Sequence, residues 1–317
     1  MRERTLPRLR LLVILHTSLT AVGCRSDGAP RADRSDEVPR TPKVLLIGID
    51  GVRPDVLAEV PTPRIDSLAA AGFLIEAART TTPSVSGPSW SSMLTGVWPD
   101  KHGVTDNDFT GKRYRDYPDF LTRLEQLRPE LSTAAIADWL PLVVADDGFP
   151  TVSEEIDVKH ALDGYELGWA EADERSVELA VELLASGDPD AVFVYLGNPD
   201  ETSHQHGSIG TEYREAIALA DEHVGRIVRA LRARPTYAAE DWLVVSSTDH
   251  GRREDGGHGG DSPEEMTIFI VASGPSMAGV AVPDSAYIVD VAPTALAHLG
   301  VQPSVEWELD GRALQER

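Results

Sequence analysis

Cysteine is almost absent: Cys24 is the one cysteine in 317 residues. A single thiol excludes an intramolecular disulfide and any structural zinc site built on cysteines. Basic residues are also scarce, 29 against 52 acidic ones, which leaves a formal net charge of −23. Such a chain repels polyanions, so nucleic-acid binding is not expected as a main role. Most of the acidity reads as solvated surface, with some carboxylates left over as metal-ligand candidates. With 41% hydrophobic and 26% charged residues, the composition suits a globular chain and argues against multiple membrane spans. No internal repeat is evident.

The lone cysteine falls at a telling place. Arg2, Arg4, Arg8 and Arg10 precede the apolar run Leu11-Leu12-Val13-Ile14-Leu15, and Ala21-Val22-Gly23-Cys24 ends it with small residues. Residues 1–24 therefore read as a signal peptide, too short for a comfortable membrane span. Cys24 resembles the lipid-attachment cysteine of a bacterial lipoprotein, with Ala21 where leucine is more usual. The expectation is an exported protein, periplasmic or at the cell surface, anchored to the membrane by lipid on Cys24. Residues 25–42, polar and rich in Pro and charge, read as a flexible tether.

Residues 43–317 read as one catalytic domain. Val44 to Ile49 is a continuous apolar run of the kind found in a strand covered on both faces. Similar runs recur at 134–137, 191–196, 242–245 and 267–271, and between them lie helical patterns at 62–71, 119–127, 171–185, 211–233 and 289–299. Strands alternating with helices predict an α/β sandwich with a mostly parallel central sheet. Residues 109–119 and 149–168 are irregular enough to be loops that cover a site.

Asp and His stand directly after apolar runs or in Gly-rich turns at four places: Asp50, Asp200 with His204, Asp249 with His250, and His258. Each alone is weak, because a strand-end Asp is commonly a turn or cap residue. Together, with no cysteine alternatives, they suit oxygen and nitrogen ligation of zinc or manganese. Asp200 and His204 are four apart, so one helical turn would aim both at one ion. The serine-rich stretch 82–96 supplies hydroxyls at Ser84, Ser86, Ser89, Ser91 and Ser92. Ser86 before Gly87-Pro88 is a helix-start signal, and the plain reading is an N-cap. A hydroxyl at a helix N-terminus beside a metal is also an activated nucleophile.

Leu45-Leu46-Ile47-Gly48-Ile49-Asp50-Gly51, Arg53-Pro54-Asp55, and the set Pro88, Ser92, Thr95-Gly96, Pro99 and His102-Gly103 resemble the type I phosphodiesterase and nucleotide pyrophosphatase family of the alkaline phosphatase superfamily. The resemblance runs from about residue 43 to about 275. It implies an alkaline phosphatase-like fold and a phosphodiesterase that uses two divalent ions, zinc in the first instance. Counting back from Thr95-Gly96 puts the family nucleophile at Ser86. Asp50, Ser86, Asp249 and His250 would then surround one ion, and Asp200, His204 and His258 the other. Asn107 matches a donor to a non-bridging phosphoryl oxygen, and Tyr195 an aromatic that packs on the leaving group.

Departures from the family pattern fall on the leaving-group side. Gly87 stands where a bulky residue is usual, and serine replaces threonine at the nucleophile. A sulfatase is disfavoured by Trp90 in place of that family's arginine. The expected partner is a small phosphate-ester substrate. One alternative is a phosphomonoesterase, with Lys101, Arg252 and Arg253 as extra cations; another is a catalytically dead, surface-anchored binding protein.

Overall fold

The computed structural model describes residues 39–316. The leader with Cys24 and most of the tether lie outside the described residues. Among the described residues seven strands form one sheet: β1 (Thr41–Ile49), β2 (Gly72–Arg79), β3 (Thr133–Ala137), β4 (Val158–Ala161), β5 (Ala191–Leu196), β6 (Glu240–Ser247) and β7 (Thr267–Ser273), in the order β2-β7-β6-β1-β5-β3-β4. All pairings are parallel except those of β7, which runs against both β2 and β6. The expected mostly parallel α/β sandwich is what the chain forms.

Among the described residues seven helices of eight residues or more cover the sheet: α1 (Pro63–Ala70), α2 (Ser86–Thr95), α3 (Phe120–Leu127), α4 (Trp169–Ser186), α5 (Asn198–His206), α6 (Thr211–Arg232) and α7 (Val291–His298). The alternation along β1 explains the two layers. Val44 and Leu46 enter the core shared with Trp90, Leu94, Phe120, Leu124 and Leu296, whereas Leu45, Ile47 and Ile49 enter the core with Ile65, Val177, Ile217 and Val224. A strand buried on both faces must be apolar throughout, which is why it is so plain in the sequence. α6 carries buried Tyr213, Ile217, Ala220, Val224, Ile227 and Leu231 at helical spacing, the stripe that docks it on the sheet. Asp119 caps α3, accepting from Leu121 N at 3.0 Å and Thr122 N at 3.2 Å.

Two strands differ from the expectation. β2 is an edge strand with a register shift between Ile75 and Ala78, and its outer positions are exposed. β4 lies at the opposite edge, inside the stretch 149–168 expected to be irregular. Edges carry polar residues because one side has no neighbour to bury them. Among the described residues no helix is long and apolar enough to cross a membrane.

Candidate active site

The three central strands β6, β1 and β5 end at one sheet edge, and each delivers acid or imidazole groups there. Asp50 follows β1, Thr248-Asp249-His250 follows β6, and β5 leads through Gly197 into α5, which carries Asp200 and His204 one turn apart. Gly51 makes the turn after Asp50 with φ 65°, and a Cβ there would lie 2.5 Å from Asp200 Oδ1. Glycine is needed for both reasons.

Asp50, Asp249 and His250 converge: His250 Nε2 lies 3.5 Å from Asp50 Oδ1 and 3.4 Å from Asp249 Oδ2. Asp200, His250 and His258 form a second convergent set that shares His250. His204 Nε2 lies 3.2 Å from Asp200 Oδ2 and 3.2 Å from His258 Nε2. The histidine tautomers follow from their partners. His250 Nδ1 donates to the Gly251 carbonyl at 3.0 Å and His258 Nδ1 to the Ser84 carbonyl at 2.9 Å, so both turn an Nε2 lone pair into the cleft.

Ser86 is the first residue of α2, with Val85 as its N-cap, so the plain capping role does not fall to it. Its Oγ lies 3.2 Å from His250 Nε2. The other serines of the stretch are engaged elsewhere. Ser84 donates to the Gly260 carbonyl at 2.8 Å, Ser89 meets Thr80 at 3.3 Å, Ser91 donates to the Gly87 carbonyl at 2.6 Å, and Ser92 meets His102 Nε2 at 3.0 Å.

Electrostatics single out the acids. Burial, then the charges of Asp249 and Asp200, push the Asp50 carboxyl well above its usual range. Burial and Asp200 push Asp249 up to about 7. At Asp200 burial works in the same direction, but the Arg252 guanidinium foremost outweighs it and holds the acid below its usual range. Burial, then His258, keep His250 neutral.

Divalent ions suit these groups by an observation independent of any family. Asp50 Oδ1 and Asp249 Oδ2 are buried without a hydrogen-bond partner, a costly state for a carboxylate that a cation would relieve. Asp50 is fixed through its other oxygen, which accepts from Tyr195 Oη at 2.6 Å and Trp90 Nε1 at 2.9 Å. Tyr195, for which the resemblance implies packing on the leaving group, lines the cleft and is 2% exposed, its ring edge-on to Trp90 and stacked on Trp139. It supports Asp50 from the cleft floor.

The cleft is small, about 60 Å³, and is walled by Asn107, Trp139, Tyr165, Trp169 and Glu201 in addition to the groups above. Asn107 Oδ1 accepts from Gly87 N at 2.6 Å, which turns its amide Nδ2 outward as a donor. A Cβ on residue 87 would lie 2.6 Å from the Asp106 carbonyl, so the missing bulky residue is excluded by this close approach. Tyr165, from the stretch expected to cover the site, packs edge-on to Trp169.

Of the three cations considered for a monoester site, Lys101 pairs with Asp310 at 2.6 Å and Arg253 with Glu265 at 2.7 Å. Arg252 alone reaches the cleft acids, donating to Asp200. Sequence reasoning missed a further pair. Asp138, just after β3, and Asp173, on α4, are both buried, and burial and then the charge of Asp173 raise the Asp138 pKa, with Asp138 Oδ1 and Asp173 Oδ2 left without a hydrogen-bond partner. Asp173 Oδ1 accepts from Gly197 N at 2.8 Å and Asn198 N at 3.2 Å, and so holds the start of α5. Asp138 carried a signal, a strand-end acid like Asp50; Asp173 carried none.

Comparison with known proteins places this geometry. The bovine bis(5'-adenosyl)-triphosphatase ENPP4 is 23% identical over 256 residues, 77% of this chain and 53% of that protein. The chain thus spans about half the length of the curated relatives it matches. Among solved structures, a 2-O GAG sulfatase superposes with a TM-score of 0.68 at 15% identity, covering 86% of this chain and 73% of that one. Murine ectonucleotide pyrophosphatase/phosphodiesterase 5, solved in an inactive form with AMP, gives 0.61 at 15% identity, over 82% and 96%. These likenesses establish an alkaline phosphatase-like fold. The profile of type I phosphodiesterase / nucleotide pyrophosphatase matches residues 44–139 and 132–254, which carry every acid and hydroxyl of the cleft described above, and the chain belongs to that family.

Proposed function

We propose that this chain is a phosphoric ester hydrolase, diesterase-like, with Ser86 as nucleophile. Two divalent ions, zinc in the first instance, would be held by Asp50, Asp249 and His250 and by Asp200, His204 and His258. Such ions, when bound, lower the pKa of a hydroxyl and stabilise charge on phosphoryl oxygens. The observation that carries the reading is the position of Ser86 Oγ, 3.2 Å from the one histidine common to both convergent sets.

In the first step Ser86 Oγ gives up its proton to solvent and bonds to phosphorus while the bond to the leaving oxygen breaks. That oxygen departs as an alcohol after taking a proton from water. Water then bonds to phosphorus of the seryl ester, which still carries the second ester group, while the P–Oγ bond breaks; Oγ regains a proton and a phosphomonoester is released. Asn107 Nδ2 would donate to a non-bridging oxygen. A phosphoryl group would occupy the small cleft, with the rest of the ester over Tyr165 and Trp169, which line it. The relative named as a bis(5'-adenosyl)-triphosphatase supports a nucleotide leaving group, whereas Gly87 removes one wall of such a slot. A monoester preference has less support, because Lys101 and Arg253 are paired away from the cleft.

Ser86→Ala tests the reading with a chromogenic phosphodiester. Turnover should fall at least about 1000-fold, with the zinc content unchanged. A variant that keeps its turnover and its zinc sinks the nucleophile assignment. Full activity after exhaustive chelation sinks the metal-dependent reading as a whole.

A further inference from the structure

The two halves of the cleft differ in what already engages their ligand atoms. In the half made by Asp50, Asp249 and His250, one oxygen of each carboxylate is buried without a partner. In the other half Asp200 Oδ1 and His204 Nε2 already accept from a protein donor. Arg252 Nη1 donates to Asp200 Oδ1 and, at 3.0 Å, to the Asp200 carbonyl. Arg252 Nη2 donates to His204 Nε2 at 2.8 Å, using the lone pair that an ion would need. Asp200 Oδ2 faces His204 Nε2 at 3.2 Å.

Arg252 is not a mobile surface group. It is fully buried, and its Nε and Nη2 donate to the Gly256 carbonyl at 2.9 Å and 2.6 Å. A guanidinium does not lose its proton in a protein, so this is a permanent cation. Facing charges therefore differ: two carboxylates in the first half, one carboxylate and one guanidinium in the second. The remaining acid of the wall, Glu201, is engaged by Tyr165. Like charges repel more strongly in a dry site than in water, so a divalent ion beside Arg252 is penalised where one beside Asp50 and Asp249 is not.

We infer that Arg252 makes the two cation sites unequal, with a tightly held ion at Asp50, Asp249 and His250 and a weakly held, exchangeable one at Asp200, His204 and His258. The guanidinium supplies part of the positive charge of the second site itself. The inference rests on the two-ion reading above, and its test separates the two. The full chain, stripped with chelator and dialysed, is titrated with zinc by calorimetry, alongside Arg252→Met and Arg252→Lys. The native chain should show two events whose dissociation constants differ at least about tenfold, the scale on which groups touching metal ligands act. Arg252→Met, uncharged and similar in length, should tighten the second event about tenfold and leave the first alone, and Arg252→Lys should keep the separation. Two events of equal affinity in the native chain overturn the inequality and leave the proposed function standing. No zinc uptake overturns both. An unaltered second event in a folded Arg252→Met, checked by circular dichroism, overturns the role of Arg252. Should that variant not fold, the native and Arg252→Lys titrations still decide the inequality.

Discussion

Asp50 and Asp249 end the neighbouring strands β1 and β6; Asp138 follows β3 and meets Asp173 from α4. All four are buried, and each pair sets two like charges side by side. The first pair has a neutral imidazole between its free oxygens and opens on the cleft. The second also leaves one oxygen of each acid, Asp138 Oδ1 and Asp173 Oδ2, without a hydrogen-bond partner, but it has no histidine partner among the described residues and faces Ser176 and the backbone of Gly197 and Asn198. Two carboxylates cannot both stay charged in a dry site unless a cation joins them or a proton is shared. On the proposed reading, the same chemical problem has a metal answer at one place and a proton answer at the other.

The largest expected effect comes from asking the first pair to behave like the second. Asp249→Asn keeps the shape, and its side-chain oxygen can still accept from Gly51 N, which now lies 3.1 Å from Asp249 Oδ1. The anionic oxygen for an ion is lost. Zinc affinity of the tighter event should fall by more than about 100-fold, beyond what outer partners are worth, while the chelated protein should melt at a higher temperature because a buried charge is gone. Asp138→Asn should leave zinc binding alone. Equal loss in both variants would erase the distinction between the pairs.

A smaller effect follows from what Asp173 holds. Its Oδ1 is the acceptor for the buried amides of Gly197 and Asn198, which begin the helix carrying Asp200 and His204. Asp173→Ala leaves these two amides unsatisfied at about 1–3 kcal/mol each, so urea unfolding should show a loss of about 2–6 kcal/mol. Asp173→Asn retains an acceptor and should lose about 1 kcal/mol or less. If the two variants unfold alike, the carboxylate does not position α5.

The sheet was legible where it is covered on both faces. The apolar runs at 44–49, 191–196 and 242–245 are the central strands, and burial on both sides leaves no room for polar residues there. β2 and β4 were hidden because an edge mixes polar and apolar positions. At the site, Asp50, Asp249 and His250 were readable as strand-end groups, and the Asp200–His204 spacing implied one helical turn, which α5 is. Arg252 was noted only as a cation near a site segment; its contact with Asp200 and His204 depends on the fold of 251–256. Tyr195 illustrates the limit most plainly. Alternation puts it on the same sheet face as Phe193, beneath Trp90, but no local pattern reveals that its hydroxyl ends on Asp50.

The smallest effect separates the pairs by pH. Burial, then the charge of Asp173, raise the Asp138 pKa well above the carboxylate range, and burial raises Asp173 to about 7. Both folded-state values lie above the unfolded ones, so between about pH 4 and 7 the native pair keeps protons that the unfolded chain has released. Stability from this pair is therefore fully present below pH 4 and declines as pH rises through 7. Asp138→Asn replaces the protonated carboxyl by an amide that donates to Asp173 at every pH. In chelator, the native chain should lose more melting temperature between pH 5 and pH 8 than Asp138→Asn does, with the charges of Asp50 and Asp249 common to both. Parallel curves for the two proteins would mean that Asp138 and Asp173 share no proton, and the contrast with the metal-ready pair would then rest on the histidine alone.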